Sequence, residues 1–115
     1  MEHELKLQPN FFNYVKYGTK RIELRLYDEK RQKINIGDTI IFRKEPELTE
    51  MIEAKVIGLL RYASFADLFK DFNIDVLTDK SMTKQELLST LNKFYTLEKQ
   101  RQYGIIGIRI KLNYL

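Results

Sequence analysis

Four side chains near the start of the chain, Lys20, Glu23, Arg25 and Tyr27, have the types and spacing for recognising an anion or the edge of a flat, polar ring. Glu23 and Arg25 stand two apart in a stretch that reads as a strand, so they share a face, with side chains about 7 Å apart at the base. Tyr27 continues that row, and Lys20 enters from the turn before it. The lysine offers a point charge and the arginine a planar fork. The carboxylate between them can accept from an amine, and the phenol offers a stacking face. The competing reading is an exposed ion-pair ladder on a strand, which adds little to stability.

The element that must position these groups is short. Ile22, Leu24 and Leu26 alternate with Arg21, Glu23, Arg25 and Tyr27, the period of a half-buried strand with one apolar and one polar face. Upstream, Glu4 to Leu7 alternates as a first strand. Pro9 suits the first turn of a helix over about Asn10 to Tyr17, with Phe11, Tyr14 and Val15 as its apolar stripe. Gly18 follows as the residue able to end that helix in a left-handed conformation. Lys20 therefore stands at a tight helix-to-strand corner, where backbone N–H groups and a lysine can hold an anion.

Downstream, Asp28 to Lys33 reads as a charged turn and Gly37-Asp38 as a turn into a strand over Thr39 to Phe42. Arg43 to Glu50, with Pro46, reads as an exposed loop, and Met51 to Leu60 as a long strand covered in part on both faces. Ser64 with Asp67 resembles a capping box for a helix Phe65 to Phe72. Thr83 with Glu86 is such a box, opening a helix to about Tyr95 with Leu87, Leu88, Leu91 and Phe94 or Tyr95 facing inward. Asn73 to Ser81 between them reads as a polar linker anchored by Val76 and Leu77. A further helical turn covers Leu97 to Tyr103 and ends at Gly104. The last strand, Ile105 to Leu112, turns Ile106, Ile108, Ile110 and Leu112 to the core. This order is α+β with a mainly antiparallel sheet, not repeated βαβ units. The 115 residues suit a single domain over 1–115, with no internal repeat.

Composition narrows the chemistry. No cysteine is present, which excludes a disulfide framework, thiol catalysis and a zinc-thiolate site. The one histidine, His3, lies near the terminus and is expected to be solvated, so neither a Ser-His-Asp triad nor a His-rich metal site is indicated. No glycine-rich phosphate loop appears. No cofactor or metal is expected. The N-terminus is acidic and lacks an apolar leader segment, and no apolar run approaches the ~18 residues of a membrane-spanning helix. A reducing, cytoplasmic setting is expected, with no membrane partner. The net charge of +4 is unevenly placed: residues 1–44 hold 10 Lys/Arg against 6 Asp/Glu, and residues 45–115 hold 10 of each. A positive field over the first part suits an anionic partner.

Gly18-x-Lys20-x-x-Glu23-x-Arg25, followed by Ile36-Gly37-Asp38-Thr39-Ile40, resembles the signature of the ASCH domain, a relative of the PUA RNA-binding domain. The resemblance extends to Ser64-Phe-Ala-Asp-Leu-Phe69 and Tyr103-Gly-Ile-Ile-Gly-Ile-Arg-Ile110, and so to nearly the whole chain. It implies a small PUA-like, mainly antiparallel β-barrel with peripheral helices. It also implies a cleft for RNA or a nucleotide-like ligand lined by Gly18, Lys20 and Arg25, with Glu23 between them. In that cleft Tyr27, with Tyr17 or Tyr103, would offer stacking faces. Some small bacterial members of the family it resembles are amidohydrolases that remove the acetyl group from N4-acetylcytidine. They use the motif lysine, a threonine three residues on, and a glutamate in a later loop. Here Lys20 matches, Glu23 replaces the threonine, and Lys80 stands for the glutamate with Asp79 beside it. Catalysis in this chain would then rest on Lys20 and Glu23. A protein partner docking on the helix after Thr83 is a third reading of the resemblance.

Overall fold

The computed structural model describes residues 1–78 and 81–113. The chain runs β1 (Glu2–Leu7), α1 (Pro9–Lys16), β2 (Ile22–Leu26), a 3₁₀ turn at Arg31–Lys33, β3 (Thr39–Lys44) and β4 (Met51–Tyr62). It continues through α2 (Phe65–Phe69), α3 (Ile74–Leu77), α4 (Lys84–Phe94) and α5 (Leu97–Tyr103) into β5 (Ile105–Leu112). The strands form one sheet in the order β1-β3-β4-β5-β2. The sheet curls into a half-barrel with helices around it, the α+β, PUA-like fold expected. Every ladder is antiparallel except β1 with β3, which is parallel. The edge strands β1 and β2 share no ladder. Arg25 Nη2 on β2 donates to the Lys6 carbonyl on β1 at 2.7 Å, so a side chain bridges the seam of the barrel.

Two apolar clusters lie on the two sides of the sheet. Inside the curl, Leu5 and Leu7 of β1, Phe42 of β3 and Ile106, Ile108 and Ile110 of β5 pack with Phe12 and Val15 of α1. Outside it, Ile22, Leu24 and Leu26 of β2 lie under Phe65, Leu68 and Leu87 of the helices. The register explains why β2 has two buried faces. Glu23 pairs with Ile108 and Arg25 with Ile106, and paired residues project to the same side of a sheet. The charged row therefore turns into the barrel interior while the apolar row turns to the helical layer.

Local features set these orientations. A bulge at Ile57 shifts the β4–β5 register between Val56 and Gly58. It sends Leu59 toward the interior cluster and Leu60 and Tyr62 toward the helices. Gly107 lets β2, α2 and β5 approach, since a Cβ there would lie 3.0 Å from both Ile22 Cγ2 and Leu68 Cδ1. Thr83 Oγ1 accepts from Glu86 N at 3.0 Å and Glu86 Oε1 from Thr83 N at 2.9 Å, the reciprocal box that starts α4.

Four expectations are corrected. The helix after Ser64 stops at Phe69, short of Phe72, because the N–H groups of Lys70 and Asp71 turn back to the Asp67 and Leu68 carbonyls at 3.2 and 3.0 Å and tighten its last turn. The linker after Asn73 holds a one-turn helix, α3, because Leu77 is wholly buried and pulls that segment onto the core. β3 runs on to Lys44, its ladder carried by β1 and β4 into the expected loop. His3 is not a solvated terminal residue. It lies in β1, its side chain is largely buried, and its Nε2 meets Asp38 Oδ2 at 2.8 Å.

Candidate functional site

The corner after α1 is built for a lysine to turn inward. Gly18 takes φ +78°, a left-handed conformation that glycine reaches at no steric cost. The backbone N–H groups of Thr19 and Lys20 both donate to the Tyr14 carbonyl, at 2.9 and 3.0 Å. Arg21 N then bonds the Val76 carbonyl at 2.8 Å, which fastens α3 against the corner. With the backbone fixed, Lys20 Nζ donates to the Ile22 carbonyl at 2.8 Å and the Leu77 carbonyl at 2.7 Å. It also stands 3.6 Å from Glu23 Oε1.

Glu23 is the hub. Its Oε1 accepts from Leu24 N at 2.9 Å, and its Oε2 accepts from Arg25 Nε at 3.3 Å and Nη2 at 3.0 Å. Lys20 and Glu23 are only 4% and 3% exposed, which rules out the exposed ion-pair ladder. Burial lowers the pKa of the Lys20 ammonium, and the Glu23 carboxylate restores only part of it. For Glu23, burial acts to raise the pKa, but Arg25 and then Lys20 outweigh it and hold the carboxylate below its ordinary value. Arg25 is likewise opposed by burial, yet Glu23, with help from Tyr95, keeps its pKa raised. The site is a buried cation–anion–cation cluster.

A cleft of about 160 Å³ opens onto this cluster at the seam. Lys20, Glu23 and Arg25 contribute to its lining, with Phe11 of α1, Lys6 of β1, Gln8 just after it, and Thr90, Phe94 and Tyr95 along the end of α4. An apolar cavity of about 150 Å³ accepts a benzene ring, so the cleft has room for one ring-sized group.

Phe94 and Tyr95 divide the roles that the sequence left open between them. Tyr95 packs inward on Phe65, ring centroids 5.7 Å apart, and Phe94 stays 58% exposed at the rim. Gln100 holds this end of α4. Its buried amide donates to the Tyr95 carbonyl at 2.8 Å and Asn92 Oδ1 at 2.9 Å, and it accepts from Phe65 N at 3.2 Å.

Of the residues singled out from the sequence, the structure brings Lys20, Glu23 and Arg25 together in the cleft. Gly18 shapes the corner without lining the cleft. Tyr27 also lies outside the lining, and the Arg61 guanidinium stands 3.8 Å from its ring centroid, covering one of its faces. Tyr17 is exposed, and Tyr103 lies beside Lys99 Nζ at 5.9 Å. Asp79 and Lys80 lie outside the described residues. Of the three aromatic residues that line the cleft, Phe11, Phe94 and Tyr95, Phe94 is the exposed one, which the period of α4 alone could not separate from Tyr95. Among the described residues no group of three or more His, Cys, Asp or Glu is placed to hold a metal ion. No helix among them is long and apolar enough to cross a membrane.

The family model of the ASCH domain matches residues 5–112. The crystal structure of the hypothetical protein PH0355 superposes with a TM-score of 0.85 at 34% identity, over 97% of this chain and 99% of that one. The solution NMR structure of PF0455 from Pyrococcus furiosus gives a TM-score of 0.79 at 31% identity, over the whole of both chains. A mutant of ZmASCH from Zymomonas mobilis shares the fold alone, with a TM-score of 0.69 at 12% identity over 96% of this chain and 67% of that one. No curated protein matches the chain.

Proposed function

This chain belongs to the ASCH domain family, which is associated with RNA binding, and from that premise we propose that it binds RNA or a nucleotide-like ligand by taking one base into the seam cleft. The observation that carries the reading is the burial of Lys20 and Glu23, with the half-buried Arg25 beside them, on a cleft of about 160 Å³. A buried ion-pair cluster is weak as a stabilising device, since well-packed apolar residues of similar volume often do as well or better. Perturbed ionisable groups converging on a cleft are what recognition of a polar ligand requires.

The roles follow from hydrogen-bonding capacity. Two of the three Lys20 protons are held by the Ile22 and Leu77 carbonyls, and the third, which faces Glu23 Oε1 at 3.6 Å, is the one that a base oxygen would share. Glu23 is fixed by Leu24 N and Arg25 and accepts from an exocyclic amine such as that of cytosine. Arg25 presents the remaining edge of its fork. Phe94 supplies the stacking face at the rim.

The test is fluorescence anisotropy of short labelled single-stranded RNAs at two salt concentrations. Wild type is measured beside Arg25→Ala, with circular dichroism to confirm that the variant folds. Arg25→Ala should bind at least ~10-fold more weakly, a loss of about 1.4 kcal/mol. A folded variant that binds as tightly as wild type removes the cleft from the reading.

A second reading has its own observation. Lys20 Nζ and Glu23 Oε1 stand 3.6 Å apart in the lining of one cleft. In this reading Glu23 takes a proton from water as its oxygen adds to the amide carbonyl of a modified nucleoside, which Lys20 polarises; the C–N bond then breaks and Glu23 returns the proton to the departing amine. Purified protein that leaves N4-acetylcytidine intact at enzyme-to-substrate ratios near unity ends it.

A further inference from the structure

A second, wider groove of about 440 Å³ lies on the other side of Arg25, and nothing above accounts for it. The two clefts share one wall, made of Lys6, Arg25 and Glu45. Beyond that wall the groove is lined by Lys30, Arg31 and Arg43, with Glu4 as the added carboxylate. All five of its cations come from residues 1–44, the part of the chain that holds the whole excess of positive charge.

We propose that this groove carries the phosphates of a single-stranded RNA whose base occupies the seam cleft, so that the partner is an oligonucleotide chain and not a free nucleoside. The proposal rests on the reading of the cleft as a base site and names its partner. Three observations carry it. First, Arg25 lines both clefts, so a strand leaving a base in one passes directly into the other. Second, the arginines are positioned but not exhausted. Glu4 accepts from Arg43 Nε at 3.0 Å and Nη2 at 2.9 Å, and the Leu48 carbonyl accepts from Nη1 at 3.2 Å. Arg43 thus uses three of the five N–H donors of a guanidinium.

Third, Arg31 lines the groove and is tied to Asp28 Oδ2 through Nη1 alone, at 3.0 Å, with no hydrogen bond from its Nη2 among the described residues. A guanidinium left partly unmet at the edge of a basic groove suits an anion. Lys30 is exposed and enters no ion pair among the described residues. The groove differs from the seam cleft in kind. It is wide, cationic and without an exposed aromatic lining residue, which fits a sugar-phosphate chain and not a stacked base.

The experiment uses two probes. Labelled mixed-sequence RNA hexamers report on the whole footprint by anisotropy over a salt series. The four ordinary nucleosides, which carry no phosphate, report on the cleft by chemical-shift perturbation of ¹⁵N-labelled protein. Lys30→Gln/Arg43→Gln alters residues that line only the groove, and Lys30→Gln alone guards against any loss of structure from the Arg43–Glu4 pair. With two phosphate contacts removed, the slope of log K against log salt should become shallower by about 1.4, at about 0.7 per contact for a single strand. Hexamer affinity at low salt should fall several-fold, with about half of the slope change in Lys30→Gln alone. Nucleoside shifts should be unchanged in both variants.

Unchanged hexamer affinity and slope in the double variant overturn the groove and leave the cleft reading standing. A lower hexamer affinity combined with wild type that shows no nucleoside shifts at the cleft keeps the groove and overturns the cleft. Hexamers that do not bind the wild type overturn both.

Discussion

The two faces of β2 are buried to the same degree and made of opposite chemistry. Leu24 on one face is 3% exposed and Glu23 on the other is 3% exposed. The apolar face gives up only hydrocarbon surface to the helical layer, and each square ångström so removed from water stabilises by about 25 cal/mol. The charged face enters the barrel interior, where every ion loses hydration and recovers it only through fixed partners. Each of the three has such partners: two carbonyls for Lys20, a backbone N–H and a guanidinium for Glu23, a carboxylate and a carbonyl across the seam for Arg25. The difference teaches that burial alone does not identify a core. One face of the strand holds the fold together, and the other is held together by the fold.

The comparison breaks hardest at Glu23. Glu23→Ala leaves two buried cations facing each other without their common acceptor, and removal of one member of a buried pair costs about 3–5 kcal/mol. Urea denaturation should show this as a lower midpoint with an unchanged slope. The milder Glu23→Gln tests the charge through pH. Glu23 has a folded pKa below its ordinary 4.5. Its contribution is therefore fully present above 4.5 and lost as pH falls through the lower folded value. Lys20 has a folded pKa below 10.5, so stability rises with pH between its folded value and 10.5. Glu23→Gln should flatten the acid limb. It should also extend the alkaline rise to lower pH, because Lys20 then loses the anion that supports its charge. A variant with the wild-type pH profile would show that the cluster is not ionised as described.

On the opposite face, Leu24→Ala should destabilise by about 2–5 kcal/mol, as truncation in a packed core does. It should leave the RNA affinity of the folded fraction unchanged. The pair of variants sharpens the contrast: both lower stability, but only the charged-face change alters the pH profile. If Leu24→Ala shifted the pH profile as Glu23→Gln does, the two faces would not be separable.

The sequence made the apolar face of this strand fully legible and the charged face only half so. Alternation at Ile22, Leu24 and Leu26 is a local signal, and the Thr83–Glu86 box is another; both held. That Glu23 is buried and Arg25 half-buried depends on the β2–β5 register and on the curl that brings β1 opposite β2, neither of which is local. The type of residue pointed to solvent, and the topology overruled it. His3 was misread for the same reason, since its partner Asp38 is 35 residues away. The linker over α3 was misread because a four-residue helix has too few positions to show a period. The base-sized volume and the second groove could not be read at all, because each is enclosed by elements distant in the chain.

Phe94 is where a third class of residue can be told from both faces of β2. It is apolar like Leu24, yet 58% exposed at the rim of the cleft, so truncation uncovers little and should change stability by no more than about 0.5 kcal/mol. Its value lies in what stacks on it. Loss of one base–aromatic stack costs about 1–3 kcal/mol of binding, an affinity drop of roughly 5- to 150-fold. Phe94→Ala should therefore keep the wild-type melting temperature and salt slope while weakening binding to hexamers and nucleosides alike. That combination separates it from Leu24→Ala, which changes stability alone, and from the groove variants, which make the salt slope shallower and weaken hexamers while leaving nucleosides unchanged. If Phe94→Ala weakened hexamers but not nucleosides, the ring would be packing against the strand outside the cleft, and the base would be held by the charged face of β2 without a stack.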